Sequence, residues 1–280
     1  MTQSGMGCPD WPKCFGKWVP PTNASELPAN FVSNLKQQDI DHSFNVFHTW
    51  TEYINRLLGA LLGLLLLLQF GWAIKLFWKN NRKIVWFSLG ILLLTGFQGW
   101  LGKRVVDANL ATVKITTHML VALLIAALAL VIIHMQTASS KIFVNKKLKN
   151  ITLLTIVLLV LQIVLGTAVR EQIDHISKAM KYDAREYWIG KLDYVFYVHR
   201  SFSLVIAACC VYIFVQYKKF NKNLLSNKLL LFCVFAEIVL GIVMAYGNIP
   251  AAAQPLHLLF SSVLFISLCN NWLKATLSGE

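Results

Sequence analysis

Four of the seven histidines in this sequence, His48, His118, His199 and His257, fall in or beside strongly apolar stretches. Two stand at the same remove from a Leu-Gly pair, since Gly102 to His118 and Gly241 to His257 are each 16 residues. His199 belongs to "YVHR" (197–200). The matching "YINR" (53–56) has Asn55 in its place, and Glu52 where the other copy has Phe196. Ionisable groups set in hydrocarbon are costly and usually functional. Paired imidazoles on facing helices suit a bound iron, whereas a carboxylate one helical turn from an amide suits proton handling or substrate chemistry.

The elements that must position these groups are helices crossing a membrane. The chain has 280 residues, 56% hydrophobic and 14% charged, with a mean hydropathy of +0.57. A soluble chain this apolar could not bury its excess surface. Apolar runs of about 20 residues, the length that spans the hydrocarbon core, recur along it. Seven spans are expected, at 51–74, 84–106, 113–135, 150–170, 194–217, 228–247 and 255–273. The fold class is therefore an all-α integral membrane bundle.

The net charge of +13 is topological and does not signal nucleic-acid binding. The loops at 75–83, 141–149 and 218–228 each hold four basic residues and no acid, whereas 170–193 holds five of each sign and 247–255 none. This alternation is the positive-inside pattern, which puts the basic loops in the cytoplasm and the N-terminal segment outside. His134, at the inner end of its helix, and His175, in an outer loop, read as surface residues; His42 carries no signal.

The chain is internally duplicated. "QGWLG" (98–102), "QIVLG" (162–166) and "EIVLG" (237–241) share a pattern, and the histidine spacing and the "YINR"/"YVHR" pair align in the same order. Spans four to seven form a complete four-helix unit, and spans one to three match its last three members. The repeats run parallel, related by an axis along the membrane normal. The partner of 150–170 would end just before Met1. An eighth, N-terminal helix is therefore expected upstream, with a Leu-Gly pair and a terminal arginine matching Arg170. The expected divisions are an extracytoplasmic segment over 1–48, an N-terminal half-bundle over 49–140 and a C-terminal half-bundle over 141–280.

In the second copy, His199 and His257 form the natural pair to hold a haem iron, saturated and suited to electron transfer. The first copy keeps His118 but has Asn55 and Glu52, alike in scaffold and unlike in chemistry. His48, four residues before Glu52 on the same face, approaches that site or sits at the membrane interface. Arg56 and Arg200 either neutralise propionates or snorkel to headgroups. Gln98, Gln162 and Glu237 read as polar stitches between helices, and the glycines after them as points of close approach. Cys8 and Cys14, in "GCPDWPKCFG" (7–16), lie on the oxidising side, where a disulfide, structural or redox-active, is the better reading. A zinc site needs four ligands, and no second cysteine pair occurs in an outer loop. Trp11 and Trp18 would anchor that loop at the interface. Cys209, Cys210, Cys233 and Cys269 read as small apolar fillers.

Taken together, "MTQSGMGCPDWPKCFG", "HTWTEYINRLLG", the Leu-Gly to His spacing and "YVHR" resemble haem A synthases over essentially the whole chain. The resemblance implies a duplicated four-helix membrane oxidoreductase that oxidises the C8 methyl of haem O to a formyl group, giving haem A for terminal oxidases. It implies haem b in the C-terminal half on His199 and His257, with Arg200 at a propionate. It also implies haem O in the N-terminal half, with His118 as a ligand of its iron and Glu52 catalytic. Asn55, His48 and Arg56 would border the substrate, and Cys8 and Cys14 would be the outer pair. Where many members read Glu-x-x-His-Arg, this chain reads Glu-x-x-Asn-Arg, which leaves the second axial contact of the substrate open. The implied setting is the cell membrane, and the implied partners are haem O, lipid, a haem O synthase and a terminal oxidase, with self-association left open. The rival classes are a non-catalytic di-haem electron conduit and a repeat-built transporter. A conduit would want two saturated haems, and a transporter would not need four histidines at one depth.

Overall fold

The computed structural model describes residues 7–28, 44–108, 111–137, 142–181, 183–220, 225–250 and 252–277, so His42 lies outside the described residues. Among the described residues, seven helices are long and apolar enough to cross a membrane: α1 (Val46–Phe77), α2 (Arg82–Asp107), α3 (Thr112–Gln136), α4 (Lys146–Ala179), α5 (Tyr194–Phe220), α6 (Leu225–Tyr246) and α7 (Ala253–Lys274). Each contains one of the expected spans almost entirely, and the longest overrun theirs. A hydropathy window sees only the hydrocarbon stretch, while backbone hydrogen bonding continues into polar flanks until a cap ends it. Asn45 caps α1 by accepting the His48 N–H at 3.2 Å, and Asn145 caps α4 by accepting the Leu148 N–H at 2.7 Å. Because α4 runs on to Ala179, His175 lies on an exposed helical turn and not in a loop. His134 is half-buried, with Nδ1 3.0 Å from the Leu130 carbonyl of its own helix, and is not a fully exposed surface residue.

The chain divides into two compact units, 1–128 and 129–280, with the boundary inside α3. In the first, α1 packs on α2. Leucines such as Leu57, Leu58, Leu64 and Leu68 stay exposed along α1, as hydrocarbon-facing side chains do.

In the second unit, α4, α5, α6 and α7 close a ring in which each helix packs on its two neighbours, and neither diagonal pair forms a substantial contact. One end of the ring is tied by buried polar groups. Thr152 Oγ1 donates to Leu148 O at 2.9 Å and lies 3.4 Å from the Tyr217 hydroxyl. Tyr217 in turn donates to the Asn271 carbonyl at 3.4 Å, and Ser226 bonds the Asn271 side chain. Interhelical hydrogen bonds of this kind hold helices together where lipid provides no hydrophobic drive. Beside that end, β1 (Ile142–Val144) and β2 (Ala275–Leu277) pair in parallel, with Ile142 opposite Ala275. No alternating pattern in the sequence signals these strands.

Candidate functional site

The histidine end of the second unit is built from the start of α5. Asp193 Oδ1 accepts the Val195 N–H at 2.8 Å, and the Gln172 amide clasps Asp193 by donating to Oδ1 at 2.7 Å and accepting its N–H at 3.2 Å. Trp188, fully buried, packs with Ile173, Leu192 and Ile249 over this turn, and its indole N–H donates to the Asp183 carbonyl at 2.9 Å. His199 therefore starts from a fixed first turn. Gln162 donates to the His199 carbonyl at 2.9 Å, and Gly166 lies bare beneath the ring, where an added Cβ would come within 3.2 Å of Cε1.

His257 lies on α7, diagonal to α5 in the ring, and its Nδ1 is 3.0 Å from Glu237 Oε2 on α6. Nδ1 of His199 is buried without a hydrogen-bond partner. His257 Nδ1, though 3.0 Å from the carboxylate, is likewise buried without a hydrogen bond, so two half-buried imidazoles with unsatisfied ring nitrogens stand on diagonal helices, a donor set that fits a haem iron. Arg200 follows on the exposed face, stacked on Phe196 and Tyr197.

In the first unit the same stitch recurs. Gln98 donates to the His118 carbonyl at 2.7 Å, Gly102 lies 3.5 Å from His118 Cε1 when given a Cβ, and His118 Nδ1 is buried without a hydrogen-bond partner. Asn55 is exposed on α1, and His48 is half-buried against Phe47. Gly241, by contrast, has open space where its Cβ would stand, so it is not a point of close helix approach.

Glu52 serves the cysteine segment. Its Oε2 accepts the N–H groups of Gly7 at 2.7 Å and Cys8 at 3.2 Å, and its Oε1 pairs with Arg56. The other arm of Arg56 donates to the carbonyls of Asp10 at 2.7 Å and Lys13 at 3.1 Å. Thr49 donates to Gly7 O at 2.9 Å, Trp50 to Pro21 O at 3.3 Å, and Tyr53 to Trp18 O. The first turns of α1 thus grip the segment by its backbone. Cys8 and Cys14 are joined in a fully buried disulfide, clustered with Phe15 and flanked by Leu27, Phe44, Tyr53 and Val106. The chain then reverses through Phe15 and Gly16, both at positive φ, between the paired Cys14 and Lys17. Such a turn needs left-handed backbone at both central positions, and the Asp10 carboxylate steadies it by accepting both N–H groups, at 2.6 and 2.9 Å. The Glu52 side chain is 26% exposed. Trp11 and Trp18 are exposed, while Cys209 is half-buried and Cys210, Cys233 and Cys269 are buried.

Sequence reasoning missed the Gln172–Asp193 clasp, the pairing of "QIVLG" with His199 and the ring contact of Glu237. The repeated Gln/Glu-x-x-x-Gly pattern was the available signal for the last two. Nothing in the spacing of residues 7 to 56 announces the grip on the cysteine segment.

A multi-pass α-helical membrane protein with a histidine-bearing four-helix ring and a disulfide-closed N-terminal segment is the class that fold and site define. Residues 1–269 match the family described as cytochrome oxidase assembly protein, COX15-CtaA, and the chain belongs to this haem A synthase family. Relatives named heme A synthase include one from Shewanella oneidensis, 31% identical over 59% of this chain and 48% of its own length. Others from Bartonella tribocorum and Ehrlichia canis are 23% and 25% identical, over 96% and 95% of this chain and 83% of each relative. The chain thus spans about half of the first relative's length and most of the other two. No solved structure matches.

Proposed function

We propose that the chain is a haem A synthase, a multi-pass oxidoreductase of the cell membrane that converts the C8 methyl of haem O to a formyl group. Two successive two-electron oxidations, each taking oxygen from water and releasing two protons and two electrons to an external electron acceptor, turn the methyl into a hydroxymethyl group and then a gem-diol, which loses water to give the aldehyde. The N-terminal half-bundle takes haem O, with His118 as ligand to the substrate iron and Asn55, His48 and Arg56 bordering it. Glu52 accepts a proton or faces positive charge developing at the methyl carbon. The C-terminal half-bundle takes haem b on His199 and His257, with Arg200 at a propionate. When bound, haem b supplies one-electron redox chemistry. The cysteine segment lies on the extracytoplasmic side, opposite the basic loops.

The observation that carries this reading is the placing of His199 and His257, each with a buried ring nitrogen free of hydrogen bonds, on diagonal helices of one closed ring. Its test is mass analysis of haems extracted from cells with and without the protein. Haem A should appear only where the protein is present, with haem O accumulating in its absence. An identical haem complement in both would end the proposal.

A further inference from the structure

The three Gln/Glu-x-x-x-Gly turns each face a histidine on the next helix, but they hold it differently. Gln98 and Gln162 donate to the backbone carbonyls of His118 and His199, at 2.7 and 2.9 Å. Glu237, when ionised, has no proton to donate, and it brings Oε2 to 3.0 Å from the ring Nδ1 of His257. Both side chains are largely sheltered, Glu237 at 17% and His257 at 26% exposure. A carboxylate in such a place needs donors, and the His257 ring nitrogen 3.0 Å away makes no hydrogen bond in this structure.

We propose that Glu237 is a positioning residue for His257. From its place 3.0 Å away, a small turn of the imidazole brings the Nδ1 proton onto the carboxylate, which then orients the ring and leaves Nε2 as the free lone pair. This deepens the haem b reading above and rests on it. An imidazole whose far nitrogen donates to a carboxylate is a more basic ligand, and that favours the oxidised iron. The two axial ligands are then unequal. His199 is placed through its backbone alone, and His257 is placed and tuned through its ring.

The test uses the full chain with its native haem, comparing wild type with E237Q, E237D and H257A by optical and EPR spectra and by redox titration. E237Q installs the amide that the other two turns carry. It should keep a six-coordinate low-spin haem but shift the midpoint potential in the positive direction and change the EPR signature, with E237D returning part of the way. Loss of haem from E237Q with recovery in E237D supports the proposal equally, because the carboxylate rescues it. An E237Q potential and EPR signature equal to wild type, or equal loss in E237Q and E237D, overturns it. H257A separates the two claims. Loss of the low-spin spectrum there upholds the ligand reading whatever Glu237 does, and retention of that spectrum defeats the ligand reading itself.

Discussion

Glu52 Oε2 accepts the backbone N–H of Gly7 at 2.7 Å, joining residues 45 positions apart. Cys8 shares the same oxygen at 3.2 Å, so the carboxylate proposed for chemistry also holds the disulfide against α1. The state of the cap and the placement of Glu52 are thereby coupled.

Replacing Glu52 with Ala removes acceptors for two backbone N–H groups and the partner of Arg56. Hydrogen bonds to a charged group contribute about 1.5–3 kcal/mol each. The Cys8–Cys14 bond should therefore become reducible roughly tenfold faster or more, since about 1.4 kcal/mol is a factor of ten. Glu52→Gln keeps an acceptor oxygen and should hold the cap while still losing haem A output. Thiol labelling after mild reduction reads the first effect, and haem extraction reads the second. An unchanged reduction rate in Glu52→Ala would refute the coupling.

Gly7 has no room for a side chain. A Cβ there would lie 2.5 Å from the His48 carbonyl oxygen and 2.9 Å from Thr49 Cα, both backbone atoms that cannot swing aside. Gly7→Ala should lift the segment off α1 at a cost of about 1–3 kcal/mol, typical of overpacking. Limited proteolysis of the outer face should then cut the variant faster than wild type.

At Gly166 the crowding falls on the ring of His199, whose Cε1 lies 3.2 Å from an added Cβ. Gly166→Val should push the imidazole aside, giving a high-spin spectrum or loss of haem b from purified protein. Gly241→Ala is the matched control, since nothing lies within 4 Å of its Cβ position. It should leave the spectrum unchanged. Equal spectra in both variants would contradict the placement of His199 as a ligand.

The paired change Cys8→Ala and Cys14→Ala removes a bond lodged in the first unit, whose sulfurs are fully buried. The haem b spectrum should survive and haem A output should fall. Full haem A output from the double variant would deny the disulfide a functional role.

The number and order of membrane helices were legible in the sequence because a hydrocarbon solvent leaves the backbone one solution for each long apolar run, and length alone marks it. Equal spacings such as Gly102 to His118 and Gly241 to His257 were legible as well, and within each unit the Gln or Glu four residues before that glycine meets the histidine of the next helix. Candidate ligands stood out because a histidine among leucines is costly. Where those groups point was settled only by packing. "QIVLG" and "EIVLG" differ in one polar residue, yet Gln162 binds a carbonyl and Glu237 meets a ring, because an amide can donate and a carboxylate accepts. The partners of Glu52 lay 45 residues upstream in a segment without helical periodicity, and backbone N–H groups leave no mark in residue types. Only the chain folded back on α1 shows that the carboxylate, the arginine below it and the disulfide form one assembly.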